Sequence, residues 1–409
     1  MKRIGIVGGG ASGMMAAIKA SNENTCVTLF EKNDKIGKKL LVTGNGRCNF
    51  TNLSMGEDYY YTDDDDFLKR ALEKFSNQDL IFFMTSLGLL IKEKNGYVYP
   101  ACEQASTVLD CLRLELKKRN VNLVTDAEVV KAAKKGETFK VTLTDGKTHE
   151  FDALILACGG KAGAKNMDSE TGYELCKGFG HKVTKLYPAL TQLKCEGLNF
   201  KAVSGVKSDC RLSLFVEDDL AMSQQGEVLF TDYGISGIVS MQVSHYAAEC
   251  LDAGRNVYAV LDLIPDFKEE DLKSFAIPKL LLNGDETCEE FFTGLLHKKL
   301  NTEIIKLNGL KPSEIVGNID RDKIVDAVLS VKELMLRVTG TNGFDQAQVT
   351  AGGVPTEELT DDLESKLVKG LYIVGELVNI DGICGGYNLQ WAFTGGAIAG
   401  EASAKEEET

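Results

Sequence analysis

The stretch Arg3-Ile4-Gly5-Ile6-Val7-Gly8-Gly9-Gly10-Ala11-Ser12-Gly13 decides how the chain is read. A short β-branched run stops at glycines, and Ala11 to Ala20 is rich in Ala, Met and Ile, which reads as strand, tight turn and helix. Gly8, Gly10 and Gly13 fill the fixed places of G-x-G-x-x-G. That pattern answers three demands: a tight turn, close approach of backbone to a pyrophosphate, and close packing of helix on strand. The helix N-terminus adds a favourable dipole for phosphate charge, with Ala11 and Ser12 in its first turn. A second strand, Cys26 to Phe30, ends at Glu31, 23 positions after Gly8, and closes a βαβ unit of about 30 residues. A carboxylate there can accept hydrogen bonds from both ribose hydroxyls and disfavours a 2′-phosphate.

At 409 residues the chain is long enough for two or three structural units, and 44% hydrophobic with 26% charged residues is ordinary globular composition. Sixty acidic against 46 basic side chains give a net charge of −14, so nucleic acid and anionic membranes are disfavoured as partners and a small-molecule substrate is expected. The oligomeric state is left open. Eleven cysteines form no Cys-x-x-Cys or Cys/His cluster, so no metal site is expected. The apolar run at the N-terminus is too short for a signal-peptide core, and no apolar stretch reaches the ~18 residues of a membrane span. A reducing cytoplasm is the expected compartment.

Further along, the acidic run Asp63 to Asp66 precedes a helix over Phe67 to Leu72, and Ser106 is the expected N-cap of a helix to Lys118. Strands are expected at Asn122 to Thr125, Phe139 to Thr144 and Phe151 to Ala157, with a turn at Asp145-Gly146. Thr191 to Leu263 reads as strands, and Glu269 to Leu336 as short helices, so the middle of the chain looks inserted. Buried-strand character returns at Gly370 to Val374, followed by a final helix over Asn388 to Ala402. The tail Glu406-Glu407-Glu408-Thr409 reads as disordered.

Two segments separate FAD from NAD. Leu40-Leu41-Val42-Thr43-Gly44-Asn45-Gly46-Arg47-Cys48-Asn49 offers small residues and amide donors to a planar ring. Gly375-Glu376, then Asp381-Gly382 and Gly385-Gly386-Tyr387-Asn388-Leu389-Gln390, offers an acid at a strand end and a helix N-terminus, as a flavin requires. The one other glycine cluster after a strand, Gly159-Gly160-Lys161-Ala162-Gly163, lacks the fingerprint spacing, so NAD(P)H is expected only as a transient visitor.

With these motifs the chain resembles the YhiN/BaiN-like, or aminoacetone-oxidase-like, FAD-binding flavoproteins of the glutathione-reductase-type superfamily. The likeness also rests on Ala157-Cys158-Gly159-Gly160, on Gly226-Glu227-Val228-Leu229-Phe230-Thr231 with Gly234-Ile235-Ser236-Gly237, and on Val349-Thr350-Ala351-Gly352-Gly353-Val354. It implies an α/β fold: a discontinuous Rossmann-like FAD-binding domain (1–190 and 340–409), an inserted β-barrel-like substrate domain (191–266) and a small helical domain (267–339). It further implies that the substrate meets the flavin between the FAD domain and the insertion. Carried over by position, Gly8, Gly10, Ala11, Ser12 and Gly13 face the pyrophosphate. Glu31 binds the adenosine ribose. Lys39, Thr43, Gly44, Asn45 and Arg47, with Cys48 in the same motif, line the flavin side, and Glu376, Asn388, Leu389 and Gln390 its ribitol and pyrimidine end. Lys32, Val129, Gly159, Gly375 and Gly386 are further expected cofactor-binding residues. Family members commonly carry His where Asp232 stands and Pro where Ile238 stands.

The resemblance implies an FAD-dependent oxidoreductase, most simply an NAD(P)H-driven reductase of an activated carbon–carbon double bond in an enone, steroid or bile acid. An aminoacetone-type amine oxidase releasing peroxide and a non-catalytic flavin-bound protein, including an RNA-modification partner, are the alternatives. No catalytic acid is evident. Tyr233, Asp232 and His245 are candidates that a structural role explains as well, and Cys48 and Cys384 read as packing thiols rather than redox groups.

Overall fold

A computed structural model of the chain describes residues 1–163 and 170–405, so the acidic tail lies outside the described residues. The chain divides into two units: Met1–Tyr187 with Gln348–Thr409, and Pro188–Ala347.

The first unit is built on a parallel five-stranded sheet ordered Leu371–Ile373, Ala153–Leu156, Lys2–Val7 (β1), Thr25–Phe30 (β2) and Asn122–Val124. Strands from both ends of the sequence thus share one sheet, with β1 at its centre. The helix Ala11–Ala20 (α1) connects β1 to β2, and its residues are apolar nearly all round because the C-terminal helix Tyr387–Ala404 packs on it. Glycines allow that contact. A Cβ on Gly396 would meet the Ser12 carbonyl oxygen at 2.3 Å, and one on Gly400 the Ala16 oxygen at 2.5 Å, so the two backbones touch. Trp391, fully buried, donates its indole N–H to the Gly375 oxygen at 3.0 Å and fixes the helix beneath that turn.

The second unit holds a closed six-stranded barrel, ordered Leu193–Glu196, Gly234–Ser236, Asp219–Phe230, Lys207–Val216, Val257–Asp262 and Leu334–Thr341, with its own apolar core. Closure leaves no open edge. Helices Glu269–Leu282, Lys298–Leu307 and Arg321–Leu329 lie between its last two strands in sequence.

Three local expectations are corrected. The stretch read as strands from 191 to 263 contains a 15-residue helix, Ile238–Asp252, whose Val239, Val243 and Ala247 fall on one buried face. The stretch read as helical to residue 339 ends in strand Leu334–Thr341, which pairs with Leu193–Glu196 and closes the barrel. Ser106 is not a cap: the helix runs Ala105–Lys118 from Gln104, which makes no side-chain cap. A strand at Val129–Lys135 was not anticipated. By contrast Asp64 does cap its helix, Asp65–Lys74, accepting from the Phe67 N–H at 2.9 Å.

Candidate functional site

The glycine fingerprint forms the turn that its spacing demands. Gly8 sits at φ +107°, where a Cβ would strike the Ala157 oxygen at 2.3 Å, and a Cβ on Gly13 would stand 1.8 Å from the Gly8 oxygen. Gly10 differs: a Cβ there meets nothing within 4 Å, so its backbone borders open space. Gly10 is the N-cap of α1 and makes no side-chain cap, and the first intrahelical bond runs from the Met14 N–H to its oxygen. The first-turn amides of Ala11, Ser12 and Gly13 are therefore available to an anion.

Glu31 follows β2 and is buried. Its Oε2 accepts from the Gly9 N–H at 2.9 Å, and its Oε1 accepts from the Asn33 N–H at 2.9 Å and from Asn33 Nδ2 at 2.6 Å. Three donors fix the carboxylate beside the glycine turn. Lys32 is half-buried next to it. The Ala127 N–H donates to the Glu31 oxygen at 2.9 Å, which brings the strand beginning at Val129 alongside.

Lys39 lies on the short helix Lys38–Val42 (α2) and enters the loop over 43–49. Gly44 and Asn45 both have φ +55°, left-handed geometry that glycine and asparagine tolerate best. The Cys48 N–H closes the loop on the Thr43 oxygen at 3.0 Å, while Asn45 and Arg47 stay exposed, the latter 3.8 Å from Glu103. Cys48 is fully buried, and burial pushes its thiol up to about 12; burial does the same to Cys384 and Cys158. Neutral thiols are what a packing role requires.

From the other end of the chain comes Glu376. Its Oε2 lies 2.7 Å from Lys39 Nζ and its Oε1 accepts from the Thr350 N–H at 2.7 Å, while the Tyr173 hydroxyl donates to its backbone oxygen at 3.1 Å. Thr350 Oγ1 in turn accepts from the Ala162 N–H at 2.7 Å. Gly160 must lack a side chain because a Cβ would sit 2.5 Å from both Glu376 Oε1 and Thr350 Oγ1. Gly375, at φ +66°, packs on Ser12 of the fingerprint helix, and Gly159, which precedes Gly160, turns at φ +74°. The structure thus gathers residues 8–13, 31, 39 and 376 into one region of the first unit.

Two residues expected at the cofactor have side chains engaged within the protein. Gln390 is fully buried and its amide is consumed, accepting from Thr51 Oγ1 at 2.6 Å and donating to Thr394 Oγ1 at 3.0 Å. Asn388 uses both side-chain atoms on Gly382, at 2.8 and 2.6 Å, and so pins the turn over 382–386. These side chains shape the loop at the start of the last helix. Gly386 begins the C-terminal helix at φ +97° against the Thr51 backbone, and Leu389 is half-buried against the core.

Sequence reasoning missed Thr350, Tyr173 and a buried His181. His181 Nδ1 lies 2.7 Å from Glu358 Oε2 and its Nε2 2.7 Å from Ser365 Oγ. Although this looks like a nucleophilic triad, Ser365 is 4% exposed and its oxygen accepts from the Leu367 and Val368 N–H groups. The three residues clamp the 356–368 loop. Of the catalytic candidates, Asp232 and Tyr233 are exposed on the turn before strand Gly234–Ser236, and His245 is half-buried on helix Ile238–Asp252; all three belong to the second unit.

An uncapped helix N-terminus beside a held carboxylate, with open space at Gly10, fits a dinucleotide, and the fold and site define an FAD-dependent oxidoreductase of the Rossmann type. The family model described as HI0933-like protein Rossmann domain matches residues 2–402, and the chain belongs to that family. It is 39% identical over 411 residues, 99% of this chain and 100% of the relative, to a 3-dehydro-bile acid delta(4,6)-reductase of Clostridium scindens. A ribosomal RNA dihydrouridine synthase of Haemophilus influenzae is 29% identical over 400 residues, 95% of each chain. Among solved structures, the 3-ketosteroid delta1-dehydrogenase of Sterolibacterium denitrificans, in complex with 1,4-androstadiene-3,17-dione, shares the fold with a TM-score of 0.52 at 13% identity, covering 99% of this chain and 100% of that one. No helix among the described residues is long and apolar enough to cross a membrane.

Proposed function

We propose that this chain reduces a carbon–carbon double bond conjugated to a carbonyl in a small organic molecule, with NAD(P)H as the electron source, in the cytoplasm. Bound FAD would supply the hydride chemistry at its ring. The observation that carries the reading is the similarity to two reductive relatives whose names share one bond change. A bile-acid delta(4,6)-reductase saturates a ring double bond, and dihydrouridine synthesis saturates one in a pyrimidine.

The two relatives differ in substrate size and charge, and the charge of this chain favours the smaller. Residues 188–347 carry 25 acidic against 16 basic side chains, a net charge of −9 within the total of −14. A unit of that sign repels a phosphate backbone, whereas a small polycyclic enone with a single carboxylate meets far less repulsion. Ribosomal RNA remains the second reading, supported by the 29% relative.

The residues of the first unit have separate tasks in this account. The amides of Ala11, Ser12 and Gly13 hold the pyrophosphate, and Glu31 holds the adenosine ribose. Lys39 and Glu376 set the polar surroundings of the flavin end, and the loop over 43–48 lies along it with backbone rather than bulky side chains. Cys48 excludes water without titrating. The test is anaerobic: enzyme reduced with NADH or NADPH is mixed with a 3-oxo-4,6-diene bile acid, and return of the oxidised flavin spectrum supports the reading. Rapid bleaching by aminoacetone with reoxidation by air would favour an amine oxidase instead.

A further inference from the structure

One hairpin of the first unit carries its cations and its tyrosines on the same face. Strands Ile91–Lys94 and Tyr97–Pro100 pair antiparallel across the two-residue turn Asn95-Gly96, whose φ values are +54° and +85°. Cross-strand partners project to the same side of a sheet, so Lys92 opposite Tyr99 and Lys94 opposite Tyr97 share a face, while Val98 and Pro100 are buried on the other. The two lysines are exposed and the two tyrosines half-buried. The chain leaving the loop over 43–49 runs beside this hairpin. Asn49 Oδ1 accepts from the Val98 N–H at 3.2 Å, and Asn52 pairs with Tyr97 and donates from Nδ2 to the Gly385 oxygen at 3.0 Å. The face therefore borders two segments already placed at the cofactor, all within the first unit.

At the edge of this face three cations surround one carboxylate. Glu103 sits at φ +52°, an uncommon conformation for a residue with a side chain. Lys92 Nζ reaches its Oε1 at 2.6 Å, whereas Arg47 Nε stands 3.8 Å from its Oε2, beyond hydrogen-bond reach. Lys92 foremost, then Arg47 and Lys94, holds the Glu103 carboxyl below its ordinary range. Burial holds the Tyr99 phenol above its ordinary value while Arg47 pulls against it, which sets that guanidinium near the ring. The Arg47 side chain is 58% exposed and its guanidinium makes no hydrogen bond among the described residues. Its planar fork of donors, the geometry that matches a phosphate, is thus unused. In a chain of net charge −14 this edge holds an excess of two positive charges beside two aromatic rings.

We propose that this face, with Arg47, Lys92 and Lys94 beside Tyr97 and Tyr99, binds the adenosine 2′-phosphate of NADPH and so selects NADPH over NADH. The inference rests on the NAD(P)H reading above and names the donor. A phosphate monoester carries about −1.5 to −2 at pH 7, which matches the local excess, and the carboxylate of Glu103 occupies the position that the phosphate takes over. Adenine offers a flat ring to the tyrosines. NADH presents a hydroxyl where NADPH presents the phosphate, and the cations give it no comparable attraction. A strand of RNA is held by phosphate contacts strung along many nucleotides, about six to ten in typical complexes, whereas these cations gather round a single point.

The experiment uses FAD-loaded enzyme and titration calorimetry with adenosine 2′,5′-bisphosphate and adenosine 5′-monophosphate, for wild type, Lys92→Gln and Glu103→Gln. Wild type is expected to bind the bisphosphate about tenfold or more tighter than the monophosphate. Lys92→Gln, at an exposed position, should erase most of that difference, and Glu103→Gln, which removes the competing carboxylate, should widen it. Anaerobic flavin reduction at equal FAD occupancy should show the same order in the ratio of the NADPH and NADH dissociation constants. Equal affinity for the two adenosine phosphates in wild type, with the flavin reduced equally well by NADPH and NADH, overturns the assignment and leaves the NAD(P)H reading standing. A ribosomal RNA fragment that binds wild type and not Lys92→Gln, with no binding of the bisphosphate, gives the face to nucleic acid and overturns the assignment too. A flavin that neither nucleotide reduces overturns the NAD(P)H reading and this assignment with it.

Discussion

Lys39 and Glu376 are 337 positions apart in the sequence and 2.7 Å apart in space, Nζ to Oε2, with the Glu376 carboxylate held from its other side by the Thr350 N–H. The pair joins the segment that follows the glycine fingerprint to the segment that precedes the last helix. Both side chains are partly shielded, 30% and 18% exposed, so the interaction is stronger than a surface ion pair. Glu376→Ala leaves the ammonium without its partner and frees the loop over 43–49. FAD affinity measured by ultrafiltration should fall by roughly tenfold or more, an effect of about 1.5–3 kcal/mol. Affinity unchanged from wild type would remove Glu376 from the cofactor site.

Gly10 and Gly13 separate folding from binding. Because a Cβ on Gly13 would lie 1.8 Å from the Gly8 oxygen, Gly13→Val should yield protein without FAD and with a much lower melting temperature. Gly10→Ala meets no protein atom within 4 Å, so melting of the apoprotein should stay within a few degrees of wild type. FAD retention should nonetheless drop, since the methyl group occupies the space the pyrophosphate would enter. A Gly10→Ala protein that purifies with full FAD content would contradict this placement.

The cysteines should react in an order set by their surroundings. Cys102 is exposed, and the Thr107 hydroxyl 3.1 Å from its sulfur, with nearby backbone N–H groups, pulls its thiol below the ordinary value. Cys48 and Cys384 are pushed up to about 12 by burial and stay protonated throughout pH 7–9. Limited maleimide labelling at pH 8, read by peptide mass spectrometry, should mark Cys102 well before Cys48 or Cys384. Early labelling of Cys48 would mean that its loop opens in solution.

Acid sensitivity has an identifiable contributor. The Arg3 guanidinium bonds both oxygens of Asp152, at 3.2 and 2.6 Å, and holds its carboxyl below the usual carboxylate range. A depressed folded-state value means that the stabilisation is fully present above the ordinary aspartate value near 4 and is lost as pH falls below it. Asp152→Asn should therefore lower thermal stability modestly at pH 7 and by less at pH 3. Equal losses at both values would show that the pair contributes nothing through its charge.

Much of the first unit was legible in the sequence because its signals are local. Gly8, Gly10, Gly13 and Glu31 lie within two dozen residues, and each spacing answers one steric or electrostatic need. The final helix was legible too, from the glycines and alanines that let it touch α1. Other features depend on partners far along the chain. Nothing near Lys39 announces Glu376, and nothing near Leu334 shows that its strand returns to pair with Leu193 across the helical insert. Helix Ile238–Asp252 was misread because Ile238, Val239 and Val243 favour strands, whereas burial of one face against the barrel decides the matter. Nor does anything near Gln390 announce that its side-chain amide pairs with Thr51, 339 positions away in the sequence.

The central claim is tested most directly by anaerobic single turnover. FAD-loaded enzyme reduced with one equivalent of NADH or NADPH is mixed in parallel with a 3-oxo-4,6-diene bile acid and with an unmodified ribosomal RNA fragment, and the flavin band is followed. The account predicts rapid return of the oxidised flavin with the dienone, with loss of one double bond from the product by mass spectrometry, and no return with RNA. Reoxidation by the RNA alone, with dihydrouridine in the product, would contradict it.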